Sequence, residues 1–231
     1  MNEKTENGTK PKRIPFEEKL KILSITEYEF QSFFELFVQN PHRYMIKKEG
    51  EEWQVVKTKN GRFLRLDKNV VAYHLMKRYW IATFAPEVSH HLCIDIDVSP
   101  KFTLVYNTVR DWIPRSIVIL SSDRKCVHVY AFIHHNFPIR SDKLLTIASK
   151  ELDIRGIITA RGTCEVFPAP NRYLRLPLGK GSCLLDPQTL TPMNLTLAES
   201  IRFIKENLWR HGFEELFPGL YRRIGRSNVK F

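Results

Sequence analysis

Several features that would place this chain in a membrane or outside the cell are missing from its sequence. Every apolar run is far shorter than the roughly 20 residues that a membrane-spanning helix needs. The opening stretch, MNEKTENGTKPKR, lacks the apolar segment of a signal peptide. We interpret residues 1–24 as a disordered leader, and we expect an intracellular, cytoplasmic protein without a membrane partner.

Cysteine is also scarce. The chain has four cysteines, no two of them with C-x-x-C spacing, and each lies in or beside an apolar stretch: Cys93, Cys126, Cys164 and Cys183. This pattern favours buried thiols in a reducing compartment. A zinc site that combines these cysteines with one of the eight histidines is the less favoured alternative.

Acidic residues are outnumbered by basic ones. Asp and Glu total 25 against 36 Lys and Arg, which gives a net charge of +11. Such an excess favours a polyanionic partner, because each phosphate that a protein neutralises releases counterions. A nucleic acid is the best candidate, although charge alone does not distinguish DNA from RNA, or binding from catalysis.

Periodicity, caps and turn residues predict an α+β protein. Capping boxes at Thr26 and Thr196 open two of the predicted helices, and Ser99 and Ser141 are the expected N-caps of two more. The predicted helices cover 27–38, 67–77, 99–112, 142–152 and 196–210. The predicted strands cover 43–46, 53–57, 63–66, 80–84, 91–98, 116–122, 126–133, 164–168, 173–178 and 182–186.

The order of these elements predicts the architecture. From residue 91 it runs strand, helix, strand, strand, helix, strand, strand, which is typical of a ferredoxin-like or RRM-like antiparallel sheet with helices packed on one face. We therefore divide the chain into a leader (1–24), a small N-terminal α/β part (25–90), an RRM-like catalytic part (91–190) and a basic helical C-terminal tail (191–231).

Two acids interrupt an apolar strand in the segment HHLCIDIDVSP, residues 90–100. Alternate residues of a strand point to the same side, so Asp95 and Asp97 project together while Ile94, Ile96 and Val98 face the core. Neighbouring carboxylates repel each other, and a divalent cation between them removes the repulsion. The spacing therefore predicts a Mg²⁺ or Mn²⁺ site. Solvated aspartates on an exposed sheet face are the alternative.

Further polar residues follow on later strands. Ser122 and Lys125 lie in a predicted turn with His128 just beyond it, and a hydroxyl, an ammonium and an imidazole together predict a triphosphate cradle. Glu165 and Arg175 each stand in an otherwise apolar strand. A strand arginine of this kind needs an anion, either a phosphate or one of the acids in a structural salt bridge.

Together these motifs resemble those of the archaeo-eukaryotic primase (AEP) superfamily, in particular its compact bacterial and mobile-element primase-polymerases. The resemblance covers about residues 40–186 and rests on three patterns in order: Asp-x-Asp, then Ser-x-x-Lys-x-x-His, then an acid followed by hydrophobic-Arg-Leu-Pro. It implies a DNA primase-polymerase that performs template-directed nucleotidyl transfer in replication or repair.

The resemblance also implies roles for particular residues. Two Mg²⁺ or Mn²⁺ ions would be held by Asp95, Asp97 and Glu165, and the nucleoside triphosphate by Ser122, Lys125, His128 and Arg175. The implied partners are a single-stranded DNA template, nucleoside triphosphates, and a replicative helicase or other replication protein, in a prokaryote or a mobile element. The chain departs from the family pattern where Glu165 replaces a frequent aspartate and Cys126 replaces a small residue.

Tyr221, Arg222 and Arg223 in the basic tail could stack a base and hold phosphates, and a solvated helix face is the alternative there. Two other functions stay open at this point. One is a replication initiator or nucleic-acid-binding module with a catalytically decayed primase fold. The other is a two-metal nuclease.

Overall fold

The computed structural model describes residues 14–121, 126–134 and 139–218. The helices in these ranges are α1 (Phe16–Leu23), α2 (Glu27–Phe37), α3 (Lys68–Leu75), α4 (Phe102–Trp112), α5 (Ser141–Ile154), α6 (Leu197–Glu206) and α7 (Phe213–Leu216). The strands are β1 (Tyr44–Lys47), β2 (Gln54–Val55), β3 (Trp80–Phe84), β4 (Val88–Ser89), β5 (His91–Asp97), β6 (Ile117–Leu120), β7 (Cys126–His134), β8 (Ile139–Arg140), β9 (Cys164–Phe167), β10 (Tyr173–Arg175), β11 (Cys183–Leu184) and β12 (Arg210–Gly212). Across these described ranges, no helix has both the length and the apolar composition needed to cross a bilayer.

A large sheet in the order β11-β6-β7-β5-β9 forms the centre of the fold. Four of its strands form a β-α-β-β-α-β unit together with α4 and α5. In chain order these strands are β5, β6, β7 and β9, and in the sheet they lie side by side as β9-β5-β7-β6. All four of these strands run antiparallel to their neighbours. The α+β class and the ferredoxin-like order predicted from the sequence are therefore confirmed.

The strand alternation gives this sheet two different faces. On one face, Leu92, Ile94 and Ile96 of β5 are fully buried in a cluster with apolar side chains of α4 and α5. On the other face, Cys93 of β5 and Tyr130 of β7 join a second cluster that includes the phenylalanines of α2. Each cluster packs one helical layer on the sheet, and burial of this apolar surface is the main favourable term in folding.

A smaller sheet, in the order β10-β3-β1-β2, lies beside the large one. Its edge strand β10 pairs with β3, placing Arg175 opposite Ala82. The chain therefore leaves the large sheet at Phe167, the end of β9, and enters the small sheet at Tyr173. The five residues 168–172 connect the two sheets.

The predicted start of the chain needs a correction. The sequence assigns residues 1–24 to a disordered leader, but Phe16–Leu23 form α1, with Phe16 and Leu20 buried in the core. Phe16 packs edge-on against Phe30 of α2, with ring centroids 5.0 Å apart. Residues 1–13 lie outside the described ranges. The leader interpretation is therefore wrong for the segment that forms α1.

The starts of the helices are predicted well where a capping box marks them. The boxes at Thr26 and Thr196 are both present, because each threonine accepts a hydrogen bond from the N3 backbone while the N3 glutamate bonds back. The two serine caps are wrong. The helix after Ser99 begins at Phe102 with Lys101 as N-cap. Ser141 is the first residue of α5, and its hydroxyl donates instead to the Pro86 carbonyl.

Three further predictions about secondary structure and burial are wrong. The predicted strand 63–66 forms only a single bridge between Phe63 and Lys57. The predicted helix 196–210 ends at Glu206, and Arg210–Gly212 pair with β7 instead. Val98 is 64% exposed rather than in the core, because it lies beyond the last paired residue of β5.

Candidate functional site

The three predicted acids lie together on the face of the large sheet opposite α4 and α5. The strand register places Asp95 of β5 directly between His128 of β7 and Glu165 of β9. Residues opposite each other in an antiparallel pair have Cβ atoms about 4.5–5.5 Å apart. Asp97 follows two residues later on the same face, opposite Cys126. Acids that are 70 residues apart in the chain are therefore neighbours in space.

These side chains open into a cleft of about 630 Å³ between the two sheets. One wall is the polar end of the large sheet. The other is formed by Asn171 and Arg172 of the connecting segment and by β10. The charged and polar residues that line the cleft are Asp95, Asp97, Cys126, His128, Arg161, Glu165, Asn171, Arg172, Tyr173 and Arg175. The cleft thus brings acids and arginines to face each other.

Asp95 is the most constrained of the acids. Its Oδ1 atom is buried and accepts no hydrogen bond, and the Nε2 atom of His128 lies 3.5 Å away from it. That separation is too long for a good hydrogen bond. A buried carboxylate oxygen without a donor is unfavourable, so this atom fits a partner such as a cation.

Glu165 is held by an arginine that the sequence did not indicate. Arg172 donates two hydrogen bonds to it, Nη1 to Oε1 at 2.6 Å and Nη2 to Oε2 at 2.8 Å. This hydrogen-bonded carboxylate raises the pKa of Arg172 above its ordinary value. Such bidentate pairs are among the stronger charge-assisted interactions. Glu165 therefore pairs with Arg172, which the sequence patterns do not single out.

Sequence spacing gives no signal for Arg172. The residue follows Asn171, which has a positive φ of 59°, in the segment that changes sheets. A turn at that point directs the chain back over β9. Sequence periodicity predicts elements, but it does not show which loop residue returns to an earlier strand, so an ion pair of this kind was not foreseeable from spacing alone.

Arg175 lies on β10 and lines the cleft. Its Nη1 is 3.5 Å from the Ser121 hydroxyl, and its guanidinium lies over the Trp53 ring at 5.9 Å. Ser121 follows directly after β6. The predicted triphosphate residues Ser122 and Lys125 lie outside the described residues, as do Tyr221, Arg222 and Arg223 of the tail.

Among the described residues no cysteine forms a disulfide; Cys93, Cys126 and Cys164 are buried as predicted, while Cys183 is half-buried. Burial raises the pKa of the Cys93 thiol well above its ordinary range. Burial, and then the charges of Asp95, Asp97 and Glu165, raise the pKa of Cys164 to about 12. The carboxylates thus create a negative potential that reaches the strand beside them.

No protein-family model matches this chain, and no curated protein matches it in sequence. Among solved structures it is similar to the polymerase domain of Mycobacterium tuberculosis ligase D in complex with DNA, with 13% identity over 90% of this chain and 89% of that chain, and a TM-score of 0.42. It is also similar to the AEP domain of the cyanophage S-2L primase-polymerase, with 12% identity over 80% of this chain and 98% of that chain, and a TM-score of 0.40. These are likenesses of fold, and they assign no role to any residue here.

Proposed function

We propose that this chain is a DNA primase-polymerase, a nucleotidyltransferase that makes or extends strands on a single-stranded DNA template. The observation that carries the proposal is the register that brings Asp95, Asp97 and Glu165 together in a cleft. Carboxylates arranged in this way, facing arginines, suit chemistry on a polyphosphate.

Divalent cations fit this donor set. Carboxylate oxygens are the ligands that Mg²⁺ and Mn²⁺ prefer, and Asp95 Oδ1 is buried without a hydrogen-bond donor. We propose that Asp95, Asp97 and Glu165 hold two such ions, which when bound would neutralise charge on the phosphoryl oxygens. The Arg172 contacts leave further lone pairs on Glu165, because a carboxylate offers about four acceptor positions.

The basic side chains complete the proposed site. His128 and Arg175 line the cleft beside the acids, and we propose that they bind the triphosphate of the incoming nucleotide together with Ser122 and Lys125. A 3′-hydroxyl would attack the α-phosphate and pyrophosphate would leave. The protein contributes positioning and charge stabilisation to this step.

The partners of the proposal follow from the charge of the chain. An excess of 11 positive charges suits a single-stranded DNA template, and we propose that Tyr221, Arg222 and Arg223 contact it. A replicative helicase or another replication protein, within a prokaryotic cell or encoded by a mobile element, belongs to the same proposal.

One observation favours a second candidate, a nucleic-acid-binding module or replication initiator with a decayed active site. Arg172 already neutralises Glu165 through two short hydrogen bonds. If that pair persisted in the working protein, the third acid would contribute little to cation binding. The basic surface would then be the functional feature.

Nucleotide incorporation on single-stranded DNA separates the two candidates. Purified protein is incubated with labelled ribo- or deoxynucleotides and Mg²⁺ or Mn²⁺, on primed and unprimed oligonucleotides. We expect Asp95→Ala combined with Asp97→Ala to reduce incorporation at least about 100-fold without unfolding the chain, because the cation and charge contacts are removed. Asp111→Ala, which removes an exposed acid of α4, is the matched control.

Full incorporation by the double variant would refute the catalytic assignment. Template binding without any incorporation by the parent protein would favour the binding module. DNA cleavage without nucleoside triphosphates would indicate a nuclease instead.

A further inference from the structure

A second donor set overlaps the proposed carboxylate site and differs from it in chemistry. Asp95, Cys126 and His128 each offer one ligand atom, and the three atoms lie within 4.8 Å of one another. They come from two adjacent strands. Asp95 and His128 are directly paired across β5 and β7, and Cys126 lies two residues before His128 on the same face.

Two of the three separations between these ligand atoms match those of a tetrahedral metal site. His128 Nε2 lies 3.5 Å from Asp95 Oδ1 and 3.8 Å from Cys126 Sγ. Tetrahedral zinc has bonds of about 2.0–2.3 Å to oxygen, nitrogen and sulfur, which places its ligand atoms about 3.3–3.8 Å apart. The two separations therefore agree with a common cation to within a few tenths of an ångström.

The donor types favour a different class of cation from Mg²⁺. A thiolate and an imidazole bind Zn²⁺ and Co²⁺ well, whereas Mg²⁺ selects oxygen ligands. All three residues line the cleft, so a cation can reach them. Three protein ligands would leave a fourth position for water, the arrangement of an open rather than a purely structural site. Asp95 Oδ1, which accepts no hydrogen bond, would gain a partner.

We propose that Asp95, Cys126 and His128 form a site for a thiophilic divalent cation of the Zn²⁺ type. On binding, the Cys126 thiol loses its proton to solvent and its sulfur forms a bond to the cation. Because Asp95 and His128 also belong to the proposed polymerase site, occupancy by Zn²⁺ and catalysis with Mg²⁺ exclude each other. Binding itself is independent of the proposed function, whereas the inhibition rests on it.

Co²⁺ is the probe, because a cobalt–thiolate bond has its own charge-transfer absorption. The reduced full-length protein is titrated with CoCl₂, alongside Cys126→Ser and the matched control Cys183→Ser, which removes a cysteine of β11 outside the cluster. We expect the parent and Cys183→Ser to show the thiolate band, Zn²⁺ to abolish it by displacement, and Cys126→Ser to lack it. An undiminished band in Cys126→Ser, or no band in the parent, would overturn the proposal.

Asp95→Asn provides a second variant in case Cys126→Ser does not fold, as judged by circular dichroism. It keeps the thiol but removes the carboxylate, and we expect at least about a 10-fold weaker Co²⁺ affinity, since even outer-shell substitutions cost this much. Co²⁺ affinity equal to that of the parent would remove Asp95 from the site.

The activity experiment separates this proposal from the previous one. We expect Zn²⁺ to inhibit Mg²⁺-supported incorporation by the parent, and Cys126→Ser to need at least about 10 times more Zn²⁺. If the parent incorporates no nucleotide, the polymerase proposal fails while the cobalt spectrum still decides the cation site. If incorporation occurs but no thiolate band forms, the cation site alone fails.

Discussion

Two ends of one sheet face have opposite character although the same three strands build them. At one level of the register, Cys93 lies between Tyr130 and Phe167, and all three side chains are buried. Two residues further along β5, Asp95 lies between His128 and Glu165 and lines a cleft. The strand pairing is continuous through both levels, so the difference arises from what covers each end.

The apolar end is covered by α2. Phe37 packs its ring against Tyr130 at 5.3 Å and against Phe132 at 6.1 Å. The polar end faces the 168–172 segment and Arg175, which leave space for a ligand. One end of the face therefore contributes stability, and the other carries buried polar groups that proteins keep chiefly where function requires them.

The largest expected effect on stability comes from removing an α2 side chain that covers the apolar end. Phe37→Ala should lower the free energy of unfolding by about 3–5 kcal/mol, because it removes a buried ring and leaves a cavity. The measurement is urea denaturation. Tyr28→Ala on the same helix is the control, since its side chain is 67% exposed, and it should cost under about 0.5 kcal/mol. Equal losses in both variants would contradict the covering role of α2.

A lower pH should also reduce the contribution of the apolar end to the free energy of unfolding. Burial lowers the pKa of His91 to about 3, and its ring packs edge-on against the rings of Tyr130 and Phe132. Below the ordinary pKa of about 6.5, the unfolded chain binds a proton that the folded chain rejects. This contribution to stability is therefore complete above that pKa and is lost as pH falls toward 3.

The expected loss from His91 between pH 7 and pH 4.5 is about 2.5 kcal/mol. Urea unfolding at both pH values measures it. His91→Phe should reduce the difference between the two pH values, while the buried His74, whose pKa burial also lowers, remains in both proteins. A pH dependence unchanged by His91→Phe would show that other groups cause the acid sensitivity.

At the polar end, the same comparison predicts a gain in stability. Asp95→Leu removes a buried oxygen that has no hydrogen-bond partner and should raise the free energy of unfolding by about 1–2 kcal/mol. Nucleotide incorporation should be lost. Asp111→Leu, at an exposed position of α4, should give no such gain. A destabilised Asp95→Leu protein would mean that the charge at this position supports the fold.

The smallest expected effect concerns the Glu165–Arg172 pair and tests whether Arg172 positions Glu165. If Arg172 positions Glu165 for cation binding, Arg172→Ala should lower the kcat of incorporation about 10-fold with little change in nucleotide KM. Arg172→Lys should not restore it, because an ammonium cannot make the bidentate contact. Arg155→Ala, which breaks the Arg155–Glu151 pair at the C-terminal end of α5, is the control. Faster incorporation by Arg172→Ala would identify the pair as an inhibitory contact.

The alternation of β5 was enough to predict that Asp95 and Asp97 share a face, because a strand has only two sides. The order of elements was enough to predict the central sheet. Neither predicts which layer covers a given part of a strand. Val98 therefore lies in solvent although it continues the apolar alternation.

Contacts between residues distant in the chain could not be predicted from the sequence either. The sequence marked Arg175 as needing an anion, but the strand that carries it joins the small sheet rather than the large one. Arg172, three residues earlier, reaches the acid. Which of two nearby arginines pairs with Glu165 depends on the path of a turn, and this path is set by tertiary packing.

The connecting segment 168–172 has a consequence for the mechanics of the cleft. Glu165 and Arg175 belong to different sheets, yet only ten positions separate them in the chain. Lengthening this tether by a single glycine would leave both sheets intact while shifting one wall of the cleft against the other. We therefore expect insertions and deletions in this segment to change the width of the cleft without changing the acids.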